Sequence, residues 1–596
     1  MTRRTTIRAA LACAGAGVVF TAFSIRLIDL QVVKHEEYTE LAARKHSIRQ
    51  VISARRGGIT DRHGEILAAN IPVRKVVVDG SHVNNASELA AVAAPYLEME
   101  PGELEKALRT DSKYKVLMRG LEEEKAIALR REMVEKSLRG LYFYEETRRI
   151  YPNGEMLSHV LGYLRQAEDP DDPPLGAEGI ERSMEQHLRG LDGFRHIERD
   201  RTGREIVVYR GAEQGPRDGL TVELTIDMGL QAILEDELQS AYNELEPASA
   251  VGVMVDPRTG EILAMASRPS FDPNNIGRSE VSSRLNQALM AVIEPGSTFK
   301  IVVASAALAE RVVDDKTRIF CENGRFFYAG RTLRDVHGYG QMGVRDILVK
   351  SSNIGSAKMG LMLGEDRFYE YVRRFGFGER TGIELPGEVR GILNPPSRWD
   401  KLTITRMTMG HAIAVTPLQL AMSMSVIANG GNLMRPQIVR AVREPGGGAV
   451  FSARPEVVRR VIPEETARFV NEALCGVTAP GGTARLAGVP GFEVAGKTGT
   501  AQKVDPNGGY TPGKYVVSFL GYMPAEDPAF VCLIMIDDAT KIRGANYGGV
   551  LAAPVFARVG ERAARYLNLV PSRRAEAVLP LVMNTSSGDP QGMSGQ

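Results

Sequence analysis

No charge interrupts the chain between Arg8 and Arg26. The seventeen residues from Ala9 to Ile25 are mostly apolar, and the three arginines of "MTRRTTIR" stand directly before them. A bilayer span takes about 20 such residues. Arg26 can snorkel, and Leu27, Ile28 and Leu30 extend the apolar run, so one helix over 9–28 is long enough to cross. Positive charge ahead of the span holds residues 1–8 in the cytoplasm and sends everything after residue 28 outside. A cleaved signal peptide is the alternative, but no convincing small-x-small cleavage site follows the apolar run. "ALAC", ending at Cys13, faintly resembles a lipoprotein box; the apolar stretch lies mostly after that cysteine, where such a signal needs it before.

The 596 residues are too many for one compact domain. With 74 basic against 73 acidic side chains the net charge is +1, so nothing in it argues for nucleic acid as a partner. Cys13, Cys321, Cys475 and Cys532 lie far apart, without the paired spacing of a zinc site or the density of a disulfide scaffold. No metal and no cofactor are expected.

The fold class read from the pattern is multidomain α/β. From residue 29 to 219, short β-rich pieces ("RKVVVDG", "REIVVYRG") alternate with charged helix-prone stretches such as "EEEKAIALRREMVEKSLRG", as in an α+β spacer or pedestal. From 220 to 570 the segments lengthen and become more apolar. "SAVGVMVDPRTGEILAMAS" reads as two strands joined at Pro-Arg-Thr-Gly. "FEVAGKTGTAQ", "KYVVSFLGYMP" and "AFVCLIMIDD" read as three more, and "GGVLAAPVFARVGERAARYLNL" as an amphipathic helix. Strands at both ends of a region with helices between them suggest one antiparallel sheet flanked by helices. Residues 571–596 are polar and glycine-rich, the composition of a disordered tail.

Within the longer region, "EPGSTFK" places Ser297 directly after a Pro-Gly turn and Lys300 one helical turn on, at the start of an apolar helix. Ser-x-x-Lys alone is weak, because a chain of this length contains one or two by chance. Ser112 and Lys115 form such a decoy, in a charged stretch that reads as solvated helix. Two further pieces accompany Ser297: Ser351, Ser352 and Asn353 of "KSSNIGSAK", and Lys497, Thr498, Gly499 and Thr500 of "GKTGT". Each has a bland reading, as a helix N-cap or as an edge lysine beside a glycine bulge. The three in this order form the signature set of penicillin-recognising serine acyltransferases.

On these motifs the chain resembles the class B penicillin-binding proteins, membrane-tethered D,D-transpeptidases that cross-link peptidoglycan. The similarity extends to "RGGITDRHGEILA", "RRIYPNGEMLSHVLGY", "LGAEGIERSMEQHLRGLDG", "DPRTGEILAMASRPSFDPN" and "AVTPLQLA". "NYGGVLAAPVF" is more like the septal branch than the elongation branch. His63 and His411 depart from the family, standing where Asn and an aromatic are more usual; His63 reads as a surface turn residue, His411 as a packed helix residue with no assigned role.

The resemblance implies a penicillin-binding transpeptidase fold and a set of residue roles. Ser297 is the nucleophile on a D-Ala-D-Ala stem peptide, and Lys300 its base, once burial and the cation Lys497 lower its pKa. Ser351 relays a proton to the leaving amine. Asn353 binds the substrate amide or holds the lysine. Lys497 with the hydroxyls of Thr498 and Thr500 attracts the terminal carboxylate, Gly499 admits the substrate backbone, and the backbone N–H groups of Ser297 and Thr500 form the oxyanion hole. β-Lactams are expected to acylate Ser297. A polytopic glycosyltransferase and other division proteins are the implied partners. An elongation-type transpeptidase, a penicillin sensor, a β-lactamase and a non-catalytic scaffold are the rival readings. The eight residues before the span leave a sensor little cytoplasmic output, and a β-lactamase has little use for a long pedestal.

Overall fold

The computed structural model describes residues 3–36, 47–168, 172–199, 205–505, 508–542 and 545–571. Two compact units emerge, Met1–Arg56 with Arg189–Gly219, and Gly57–Leu188 with Leu220–Gln596. The first begins with the helix Arg3–Ile28, continued by a π turn over Asp29–Val33. Its apolar stretch, Thr6–Val33, is the one helix among the described residues long and apolar enough to cross a membrane, and it reaches further at both ends than the 9–28 read from sequence. Val18, Phe20, Phe23 and Ile25 are all exposed along it; a helix with apolar side chains and no protein packed on them needs an apolar medium. Arg26, the charge at its far end, pairs with Asp29 at 2.6 Å. The unit is completed by an antiparallel three-stranded sheet with Gly193–Arg199 between Ser47–Ile52 and Glu205–Gln214.

The second unit contains the expected antiparallel sheet. Its five strands run in the order Ile262–Arg268, Ser249–Val255, Phe530–Asp537, Tyr510–Met523, Ala495–Val504. The first two are the hairpin read from sequence, turning at Gly260, whose φ of +80° suits a residue without a Cβ. Every residue of both is buried, which is why they read as continuous apolar runs rather than as alternation. Helices Met228–Leu245 and Ala553–Tyr566 pack on this sheet and on each other, and Pro417–Ala428 packs on it as well. Ala495–Val504, the edge strand, carries Lys497 to Thr500.

A second sheet crosses the boundary expected at residues 219 and 220. Thr221–Leu224 pairs in parallel with Ile59–Thr60 and antiparallel with Val439–Arg443. Ile59–Thr60 in turn pairs with Ile66–Val78, which carries Lys115–Glu122 and Leu141–Ile150. The main hydrophobic core follows suit, taking Ile59, Leu67, Tyr151, Val160, Ile180 and Leu188 along with residues of the long C-terminal region. A smaller core lies under the helices Ala86–Leu97, Pro101–Leu108 and Glu123–Glu135. The decoy Ser112 and Lys115 is not helical. Ser112 lies in an exposed turn, its hydroxyl donating to Tyr114 O at 2.9 Å, and Lys115 opens a strand. Residues 572–596, nearly all of the expected tail, lie outside the described residues.

Candidate active site

The turn that carries Ser297 is a single 3-10 turn, Gly296–Phe299, leading into the helix Lys300–Ala309. Gly296 adopts φ +58°, and its N–H donates to Gly410 O at 3.2 Å. A Cβ on Gly296 would lie 2.8 Å from Thr500 O and 3.2 Å from Thr500 N. The missing side chain therefore seats the serine turn against the backbone of the edge strand. On the other side, a Cβ on Gly410 would come within 2.1 Å of Gly296 O. Thr298 closes the turn by donating to Pro295 O at 2.8 Å. Ser297 itself is half-buried.

Lys300 is fully buried. Its ammonium donates to Ser351 O at 2.6 Å, Ser351 Oγ at 3.1 Å and Asn353 Oδ1 at 2.7 Å. Lys497, equally buried, donates to the same Ser351 hydroxyl at 3.0 Å. Three segments separated in sequence thus meet at one oxygen. Burial first, and the neighbouring Lys497 second, hold the proton affinity of Lys300 well below the ordinary lysine range, while the carboxylate of Asp335 opposes them. Burial pushes Lys497 down to about 7. Among the described residues no hydrogen bond reaches the Ser297 hydroxyl, so in this arrangement Lys300 is engaged by Ser351 and Asn353 rather than by the serine; catalytic contacts commonly tighten only with substrate in place.

Ser351 sits in the left-handed region at φ +58°, a conformation that costs energy for a residue with a Cβ. Immediately after it, Ser352 caps the helix Asn353–Leu363, its Oγ accepting from Gly355 N at 3.0 Å. The N-cap reading of Ser-Ser-Asn and the chemical one hold together, because the cap aims Asn353 at Lys300.

Alternation along the edge strand divides the Lys-Thr-Gly-Thr residues between two faces. Lys497 and Gly499 face the serine turn: a Cβ on Gly499 would meet Ser518 Oγ at 2.4 Å and Pro295 O and Thr298 Cγ2 at 3.0 Å. The room left by Gly499 is filled by the protein's own turn. Thr498 and Thr500 face the other way, Thr498 Oγ1 donating to Thr483 Oγ1 at 3.5 Å and Thr500 Oγ1 accepting from Gly548 N at 3.3 Å.

Two features escaped the sequence reading. Asp335 accepts from Ser352 Oγ at 2.6 Å and from the backbone N–H of Asn353 and Ile354; no local pattern marks it, since its partners lie far along the chain. His411 is in a loop, not a helix. Its Nδ1 lies 2.7 Å from Glu294 Oε2, which also accepts from Tyr510 OH at 3.0 Å, and Glu294 Oε1 takes the Ala412 N–H at 3.0 Å. Burial and the Glu294 carboxylate push the Tyr510 phenol up to about 12, so it stays a donor. His63 does lie in a surface turn, as read, and reaches Asp227 at 3.1 Å.

A hydroxyl in the turn that opens a buried helix, one helical turn ahead of an amine that gives up its proton readily, is equipped for nucleophilic acyl transfer. Fold and site together define a serine acyltransferase. The penicillin binding protein transpeptidase domain matches residues 250–561, and the penicillin-binding protein dimerisation domain matches residues 51–224. Stage V sporulation protein D of Bacillus subtilis is 34% identical over 549 residues, covering 91% of this chain and 83% of its own. Peptidoglycan D,D-transpeptidase FtsI of Escherichia coli is 32% identical over 573 residues, covering 95% and 92%. Penicillin binding protein 3 of Mycobacterium tuberculosis, solved in complex with aztreonam, superposes with a TM-score of 0.67 at 28% identity over 88% of this chain and 98% of that one. The chain belongs to the class B penicillin-binding proteins, and its enzymatic domain is a transpeptidase.

Proposed function

We propose that the chain is a peptidoglycan D,D-transpeptidase of the division septum, anchored by the helix over 9–28 with residues 1–8 in the cytoplasm, with a pedestal domain over 29–219 and catalytic through residues 220–570. Ser297 Oγ attacks the carbonyl of the penultimate D-Ala of a stem peptide while Lys300, as neutral amine, takes its proton. The resulting oxyanion is met by the backbone N–H groups of Ser297 and Thr500, each typically worth about 3 kcal/mol. The C–N bond breaks, Ser351 passes a proton to the departing D-Ala, and an ester to Ser297 remains. The amine of a neighbouring stem peptide then displaces the serine, restoring Ser297 and joining the two peptides. The Lys497 charge attracts the terminal carboxylate, and the hydroxyls of Thr498 and Thr500, which lie on the other face of the strand from the serine turn, receive it where the peptide crosses that edge. A polytopic glycosyltransferase is the partner expected at the membrane. The septal assignment draws on FtsI and on "NYGGVLAAPVF".

The observation that carries this reading is the Lys300 ammonium, buried and shared between Ser351 and Asn353 within one turn of Ser297. Incubation with a fluorescent penicillin is expected to leave a persistent ester on Ser297, found by peptide mass, and Ser297→Ala is expected to abolish labelling. An unmodified Ser297 in the wild type after exposure to several β-lactams would overturn the assignment. A fluorescent fusion along the sidewall rather than at the septum would overturn the division role alone.

A further inference from the structure

The carboxylate of Asp335 grips three consecutive residues at the centre of the site. Oδ2 accepts from Ser352 Oγ at 2.6 Å; Oδ1 accepts from the Asn353 N–H and from the Ile354 N–H at 3.1 Å. Asn353 then spans the gap to the catalytic amine, its Nδ2 donating to Arg334 O at 2.9 Å and its Oδ1 accepting from Lys300 Nζ at 2.7 Å. One residue separates the carboxylate from the amine. Ser351, just before the gripped segment, is the residue held at φ +58°, a conformation that persists only where its surroundings enforce it. A neutral cap could satisfy the same N–H groups. A full charge is useful here for a different reason: Lys300 and Lys497 both lie buried on the Ser351 hydroxyl, and an anion opposes the loss of the Lys300 proton that burial and Lys497 promote.

We propose that Asp335 is a positioning residue for acyl transfer, its carboxylate holding the Ser351–Asn353 turn against Lys300 and its charge setting the pH range in which that amine serves as base. This rests on the reading of Lys300 as the base of Ser297. Lys300, Cys321 and Tyr339 feel the Asp335 charge. Lys300 comes from the serine helix. Cys321 and Tyr339 come from the segments before and after it; both are weakened as acids, by burial first and by the Asp335 charge in addition. The Lys358 ammonium beyond Cys321 is held by Glu322 at 2.6 Å and Phe320 O at 2.8 Å.

The test is the second-order rate constant for acylation of the full chain by a fluorescent penicillin, followed from pH 5.5 to 9.5. Asp335→Asn keeps the shape and removes the charge, so the acid limb of the profile is expected to move about one unit toward lower pH. Asp335→Glu, which keeps the charge but displaces it, is expected to slow acylation with the limb where the wild type has it. A uniform fall in rate with an unmoved limb in Asp335→Asn would overturn the proposal, leaving Asp335 a helix cap only, and so would an unchanged profile. If Asp335→Asn does not fold, as judged by circular dichroism, Asp335→Ser carries the same expectation of an acid-shifted limb. Absence of Ser297 labelling in the wild type would instead refute the reading of the site beneath it.

Discussion

Lys300 and Lys497 are an expensive pair to bury, and the site depends on that expense. An ammonium taken out of water favours its neutral form, and two of them on one hydroxyl favour it further. Neutral Lys300 is a base; charged Lys300 is not. Lys300→Ala is expected to slow acylation by about 10²- to 10⁴-fold, the usual worth of a general base, measured with the same fluorescent penicillin. The pair also leaves a trace in stability. For Lys497 the folded value is about 7 against an ordinary 10.5. Between those values the unfolded chain holds a proton that the folded chain does not, so stability rises with pH through that window by about 1.4 kcal/mol per unit. Lys497→Met, which leaves Ser351 Oγ still bonded to Lys300, lacks that slope. Urea midpoints are expected to show the variant more stable than the wild type near pH 7, with the gap closing toward pH 10.

At the scale of elements, the serine turn is held by close approaches between backbones. Gly410 lies at φ +81°, and a Cβ on it would overlap Gly296 O. Gly410→Ala is therefore expected to displace Ser297 and cut the acylation rate at least as deeply as it cuts stability; a variant with lowered Tm but wild-type acylation would show the turn to be set elsewhere. This scale also marks what the sequence could reveal. The strands Ser249–Val255 and Phe530–Asp537 were legible because each is an apolar run bounded by turn residues. The serine helix was legible because its motif falls at the turn that opens it, and the Lys-Thr-Gly strand because its motif lies inside a strand-like run bounded by turns. Asp335 was not, nor was the loop of His411, because what defines them is pairing across long stretches of chain, with Ser352 and Glu294 respectively. Local periodicity carries no trace of such contacts. Ser112 was misread as helix for the same reason: its carbonyl accepts from Gly80 N at 3.0 Å, a distant partner that fixes an exposed turn where composition favoured a helix.

For the whole molecule, the instructive departure is the seam at residues 219 and 220. A change in segment length and apolarity puts a boundary there, and the chain does change character, but the packing runs across it. Thr221–Leu224 borrows a partner from Ile59–Thr60, and the core that backs the catalytic sheet includes Leu67, Tyr151, Val160, Ile180 and Leu188. Arg149 is held among these, its guanidinium 2.7 Å from Glu181 and 2.7 Å from Gly57 O, with both side chains of the ion pair buried. A fragment beginning at residue 220 would expose one edge of Thr221–Leu224 and strip side chains from the core at about 1.5–3 kcal/mol each, a loss comparable to the stability of a typical domain. Residues 47–570, which keep the seam and the three-stranded sheet that includes Ser47–Ile52 and drop the membrane helix and the segment after it, should be soluble and acylated like the full chain. Residues 220–570 should be insoluble, or melt far lower and label poorly. Equal melting temperatures and equal labelling for the two fragments would mean that the shared sheet and core contribute little, and that the boundary suggested by composition is also the boundary of folding.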